Sequence, residues 1–136
     1  MNRLKSYKHT FNSCCVASGI QALEINLPPL LFASFQDCFD ISLTQLTALV
    51  TLTFIVQLLM DAACTKLMDK IGYRAAMVAS HAFVAVGLIA MGVLPYIMAP
   101  YPALIISIII TAIGGGIIEV ITSPIVEAIP DQKGGK

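Results

Sequence analysis

Polar side chains that could handle protons or a polar solute occur inside long apolar runs of this sequence. Glu119 lies within the last apolar run, and Glu24 lies within the first. A carboxyl group inside a membrane-spanning run is costly to bury, so by default it is a candidate for a transport or proton pathway. Carboxyl groups exchange protons and side-chain amides hydrogen-bond polar solutes. The candidate pathway residues are Glu119, Asn26, Glu24, Gln21 and Gln57.

Each of these residues also has a structural interpretation that the sequence leaves open. Glu119 could be a neutral, hydrogen-bonded packing residue. Glu24 and Asn26 could repair the backbone near Pro28 and Pro29, because a proline ring frees the carbonyl group four residues earlier. The two glutamines could form hydrogen bonds between helices.

The composition indicates an integral membrane protein made of helices. Of the 136 residues, 57% are hydrophobic and 12% are charged, and the mean hydropathy is +0.85. Ordinary soluble domains carry about 25% charged residues. The runs are long enough for spans of about 20 residues and lack the alternation of barrel strands. The expected partner is the lipid bilayer, and a net charge of zero does not favour nucleic acid.

We predict an all-α, polytopic protein with four transmembrane helices. A basic tail, residues 1–10, precedes the four-helix domain 11–129, and a polar tail, residues 130–136, follows it. Ser42 or Thr44 could cap the second helix. The two prolines predict a bent, polar middle for the first helix. The predicted spans are about 11–35, 43–68, 75–97 and 103–129.

The basic residues predict the orientation in the membrane. With four spans, all eight fall on one side: Arg3, Lys5, Lys8, Lys66, Lys70, Arg74, Lys133 and Lys136. The two loops on the other side hold none. The positive-inside rule therefore predicts a multi-pass protein of the cell membrane with both termini in the cytoplasm.

Enzymatic and metal chemistry are not indicated by the residue pattern. The sequence shows no nucleophile–base pair and no Cys-x-x-Cys spacing, which metal sites often use. We interpret the four cysteines as small apolar residues and expect no cofactor. These cysteines are Cys14, Cys15, Cys38 and Cys64.

Three consecutive glycines lie one turn before Glu119 in the last predicted helix. Gly114, Gly115 and Gly116 either let helices approach closely or leave room for a ligand beside the carboxyl group. Pro124 follows Glu119 and frees a backbone carbonyl group. The helix is therefore expected to be loosened next to its acid.

A charged turn separates the second predicted span from the third. It reads Asp69-Lys70-Ile71-Gly72-Tyr73-Arg74, and Gly72 provides a position that tolerates a positive φ. The turn resembles the signature loop between helices 2 and 3 of the major facilitator superfamily, Gly-x-x-x-Asp-Arg/Lys-x-Gly-x-Arg/Lys. Four residues match this pattern, and Thr65 stands where the family usually has glycine. The matching residues are Asp69, Lys70, Gly72 and Arg74.

Two further stretches are similar to the fucose-permease-like branch of that superfamily. They are residues 114–124, rich in glycine with an acid and a proline, and residues 35–39. The resemblance implies that Glu119 matches a glutamate linked to sugar binding and proton coupling. The aspartate that those permeases carry in helix 1 aligns with Pro29.

The resemblance covers residues 11–130 and implies helices 1–4 of a fold with twelve spans in two halves. It therefore implies a transporter fragment that moves a small polar solute, a sugar, either alone or together with protons. The charged turn would act as a cytoplasmic latch. Partners would be the missing transporter segments or further copies of this chain. Two alternatives remain: an autonomous four-helix exporter of the small multidrug-resistance type, in which Glu24 imitates the helix 1 glutamate, or a non-transporting membrane remnant.

Overall fold

The computed structural model contains four long helices and describes residues 2–127, without the side chains of 2–8, 65–70 and 126. They are α1 (Asn2–Phe39), α2 (Leu43–Ile71), α3 (Tyr73–Ile97) and α4 (Pro100–Glu127). Each is long and apolar enough to cross a membrane. The prediction of an all-α, polytopic protein with four transmembrane helices is confirmed.

Helix α1 is longer than the span expected from the apolar run. It begins at Asn2 instead of Phe11, so residues 2–10 of the expected basic tail are helical. It also continues through Pro28 and Pro29, although proline usually breaks a helix in water. Within a membrane bundle, neighbouring helices can support a proline-containing segment. Pro28 is buried against such neighbours.

The connection from α1 to α2 is short and capped by side chains. Asp40 has a φ of 53°, and its N–H donates to the Gln36 carbonyl at 3.0 Å. Ser42 Oγ accepts a hydrogen bond from the Gln45 N–H at 3.3 Å, and Gln45 Oε1 accepts one from the Ser42 N–H at 3.1 Å. This reciprocal pair is a capping box. Of the two candidates, Ser42 and Thr44, Ser42 therefore caps the second helix.

The charged turn is tighter than the sequence suggested, because a single residue separates α2 from α3. Gly72 has a φ of 81° and a ψ of 147°. This backbone region is nearly restricted to glycine. The predicted positive φ is confirmed, and helical backbone extends to Ile71 on one side and Tyr73 on the other.

Helix α4 forms the centre of the bundle. In the most apolar 18-residue stretch of α4, 61% of the residues are buried, against 17–22% in the corresponding stretches of the other three helices. It packs extensively against α3 and α2 and also against α1, whereas those three helices contact one another little. One apolar core cluster joins all four helices and includes Phe35, Leu49, Met91 and Leu104.

The three consecutive glycines of α4 explain how it packs against three neighbours. A Cβ atom on Gly114 would lie 2.7 Å from the Ser80 carbonyl oxygen of α3. A Cβ atom on Gly116 would lie 2.8 Å from Met60 Cβ of α2, and one on Gly115 would contact α1. Successive residues of a helix point about 100° apart. Each glycine therefore allows one close helix–helix approach.

Candidate functional site

A buried carboxyl group lies where α1, α2 and α4 meet. Glu24 of α1 is only 1% exposed. Its Oε2 atom accepts a hydrogen bond from Gln57 Nε2 of α2 at 3.4 Å, and Gln57 is itself buried. The bond satisfies part of the polar surface that burial would otherwise leave unpaired.

Gly115 of α4 provides the space that the Glu24 carboxyl group occupies. A Cβ atom at Gly115 would contact Glu24 Oε2, lie 2.8 Å from Glu24 Cδ and lie 3.1 Å from Gln57 Nε2. Real Cβ atoms do not approach other atoms as closely as the first two contacts require. A side chain at position 115 would therefore displace the buried carboxyl group.

A second carboxyl group lies one helical turn further along α4. Glu119 is exposed on the surface of the bundle, and its Oε2 atom accepts a hydrogen bond from Gln21 Nε2 of α1 at 3.1 Å. Gln21 lies one turn before Glu24 on the same face of α1. One Glu–Gln pair therefore joins α1 to α4, and the other, one turn away on α1, joins α1 to α2.

This arrangement can exchange protons and bind hydroxyl groups. Two carboxylates close together in a medium of low dielectric repel each other, so protonation of one relieves the repulsion. The glutamine amides donate to carboxylate oxygens and keep acceptor oxygens for other partners. One carboxyl group is enclosed and the other is open, which would allow a proton or solute to reach Glu119 first.

A small cavity adjoins the buried carboxyl group. It has a volume of about 20 Å³, enough for one water molecule, and lies between α1, α2 and α4. Its lining includes Glu24, Pro28, Thr53 and Ile108. Polar atoms are therefore accessible from inside the bundle beside Glu24.

Asn26 is not brought to this cluster. It is exposed, and its Nδ2 atom donates to the Ala22 carbonyl of its own helix at 2.7 Å. Two residues along a helix correspond to a rotation of about 200°, so Asn26 points away from Glu24. The structure unites Gln21, Glu24 and Glu119 with Gln57 and leaves Asn26 outside.

The predicted loop residues lie at the end of the bundle where α2 meets α3. Arg74 is exposed in the first turn of α3. The backbone of Asp69 and Lys70 belongs to the last turn of α2, but their side chains lie outside the described residues. Pro124 is exposed near the end of α4, which continues past it to Glu127.

Two tight contacts involve residues or partners that the sequence patterns did not single out. One is the close contact between Gly115 and the Glu24 carboxyl group. The other is the crossing of α3 and α4, where a Cβ atom on Gly87 would contact Thr111 Oγ1 and lie 2.7 Å from the Thr111 backbone nitrogen. Gly87 stands as an isolated glycine in the third apolar run, which was the available sequence signal. Its contact with Thr111 could not be read from the sequence, because it depends on how α3 and α4 pack.

Comparison with known proteins identifies the family of the chain. The family model described as Major Facilitator Superfamily matches residues 10–134. No curated protein and no solved structure matches the chain. The matched region covers the four spans, apart from the first residue of the first, together with Glu24, Glu119 and the glycine turn between α2 and α3. The chain belongs to the major facilitator superfamily, whose members carry small solutes across membranes.

Proposed function

We propose that this chain takes part in proton-coupled transport of a small polar solute, with a sugar as the substrate class. The observation that carries the proposal is the pair of neighbouring carboxyl groups on α1 and α4, each hydrogen-bonded to a glutamine. Glu119 is the proposed proton-exchanging group. Gln21, Glu24 and Gln57 are the proposed polar contacts along the pathway.

The exposure of Glu119 supports a position beside a polar pathway. An acidic side chain near the middle of a bilayer costs about 2.5–3.5 kcal/mol when it faces lipid. Glu119 lies within the apolar span of α4, yet its carboxyl group is open to the outside of the bundle. Such groups usually face a bundle interior or a water-filled cavity. We therefore expect the seam between α1 and α4 to face a polar cavity in the working transporter.

The sugar and the membrane orientation are inferred from sequence features. Residues 114–124 resemble the glycine-rich helix 4 of fucose-permease-like transporters, in which the matching glutamate is linked to sugar and proton. The distribution of Lys and Arg favours cytoplasmic termini in the cell membrane. Asp69, Lys70 and Arg74 would then form a latch on the cytoplasmic side.

Proton movement driven by a sugar gradient tests this function. Membrane vesicles from cells that express the chain keep any further transporter segments or copies in place. Addition of a sugar from a monosaccharide panel should acidify a lumen that contains a pH-sensitive dye. We expect Glu119→Gln to abolish the acidification, because an amide cannot carry the proton.

Glu127→Gln is the matched control, since Glu127 is an exposed glutamate two turns later on the same helix. It should retain the signal of the unmodified chain. Vesicles from cells without the chain set the background. Equal acidification by the Glu119 variant would remove this residue from the proton pathway. The absence of a response to every sugar would refute sugar–proton coupling.

A further inference from the structure

A groove lies between the N-terminal parts of α1 and α3, at the end of the bundle where α4 finishes. It has two adjoining lobes of about 520 and 420 Å³. His9, Ser13, Met77 and Val78 line both lobes. We call this feature the α1/α3 groove. It is separate from Glu24 and Glu119, because His9 precedes Gln21, the hydrogen-bond partner of Glu119, by about three helical turns.

The lining of the α1/α3 groove combines basic groups with an apolar surface. Arg74, His9 and His81 lie along it, and Val16 and Val78 supply much of its apolar wall. Both valines are strongly exposed, at 61% and 72%. No described Asp or Glu lines either lobe. The groove therefore suits a ligand that has a negative group and a hydrocarbon part.

Arg74 and His9 lie nearer the helix ends than the apolar wall. Arg74 is in the first turn of α3, and Val78 lies one turn further, about 6 Å along the helix axis. His81 lies deeper, where its Nδ1 atom is 2.7 Å from the Met77 carbonyl oxygen of its own helix. Val16 is about two turns beyond His9 on α1. A ligand in the groove would therefore place its charge near the helix ends and its apolar part towards the membrane interior.

We propose that the α1/α3 groove binds an anionic phospholipid of the cytoplasmic leaflet. Arg74 and His9 contact the headgroup phosphate, and the acyl chains lie against Val16, Met77 and Val78. Charge complementarity favours this occupant, because the cytoplasmic leaflet is rich in anionic lipid and the groove has basic but no described acidic lining. The proposal rests on the proposed orientation and is independent of Glu119, sugar and protons.

Native mass spectrometry of the full chain in detergent, with phosphatidylglycerol or phosphatidylcholine added, tests the site. We expect preferential retention of phosphatidylglycerol. Arg74→Gln should lower that retention about fivefold, because one basic residue near an anionic surface contributes about 1 kcal/mol. Arg74→Lys should largely restore it. Val78→Trp fills the groove without changing any charge. It therefore distinguishes binding in the groove from a general effect of charge on lipid retention.

Val93→Trp is the matched control, since Val93 is an exposed valine of α3 that does not line either lobe. It should retain the lipid, whereas Val78→Trp should lose it. Circular dichroism on the same samples verifies the helix content, and Arg74→Gln provides a second readout if Val78→Trp does not fold. Equal retention of the two lipids, or unchanged retention by both Arg74→Gln and Val78→Trp, would overturn the proposal. So would a lipid-free dimer that Val78→Trp dissociates, because a second copy would then occupy the groove.

Discussion

Replacement of Gly115 by alanine is the sharpest test of how the buried carboxyl group is held. The new Cβ atom would contact Glu24 Oε2 and lie 2.8 Å from Glu24 Cδ. These atoms form the flexible end of the Glu24 side chain, so that side chain must move. Its movement disturbs the hydrogen bond that Gln57 donates to Glu24.

The expected magnitude follows from two opposing contributions. Loss of the partner of a buried polar group costs about 1–3 kcal/mol. Alanine regains about 1 kcal/mol of helix propensity over glycine. With the central value for the cost, Gly115→Ala should lower the free energy of unfolding by about 1 kcal/mol.

Reversible unfolding of the purified chain in mixed micelles can measure this loss. The chain is kept in a mild detergent and titrated with a denaturing detergent, and the helix signal is followed by circular dichroism. Gly92→Ala is the matched control, because a Cβ atom at this helical glycine would meet no atom within 4 Å. It should leave the unfolding free energy unchanged or raise it by up to about 1 kcal/mol.

A double-mutant cycle identifies the cause of the loss. Glu24→Ala removes the atoms that the new methyl group would contact. Gly115→Ala should therefore cost much less in the Glu24→Ala background, with a coupling energy of about 1–3 kcal/mol. The reasoning would be refuted if Gly115→Ala were as stable as Gly92→Ala, or if the two changes were additive.

Two further predictions concern the ends of helices and use the same unfolding assay. Gly72→Ala should cost about 1–3 kcal/mol, because it forces a side chain into a backbone region nearly restricted to glycine; a result equal to Gly92→Ala would contradict this. Ser42→Ala should cost about 1 kcal/mol through loss of the helix cap. Thr51→Ala is its control, since this exposed hydroxyl group donates to the Thr47 carbonyl of its own helix at 3.3 Å, away from the helix end. An equal effect of both changes would exclude a capping role.

Local rules were enough to predict the class of fold and several helix ends. The lengths of the apolar runs determine the number of spans, because a bilayer needs about 20 residues for each one. Ser42 and Gly72 could be recognised because capping and positive φ depend on nearby residues. The N-terminal extension of α1 was missed, since polar residues 2–10 gave no apolar signal while their backbone is helical.

The partners within the candidate site could not be derived from local rules. Glu24 and Gln57 are far apart in sequence, and their contact depends on how α1 and α2 pack against α4. The glycine triplet indicated close approach, but not which helix each glycine would meet. Asn26 is near Glu24 in sequence and on a different face of the helix, so proximity along the chain was misleading there.

The central position of α4 has a consequence for biosynthesis. The three helices that precede it in the chain have little contact with one another, so as they leave the ribosome they would enter the bilayer as loosely associated segments. Most of the surface that can join them arrives only with α4, which packs most extensively against α3. Association of α1, α2 and α3 therefore depends on α4, and ribosome stalling before residue 100 would leave three inserted but unassembled spans.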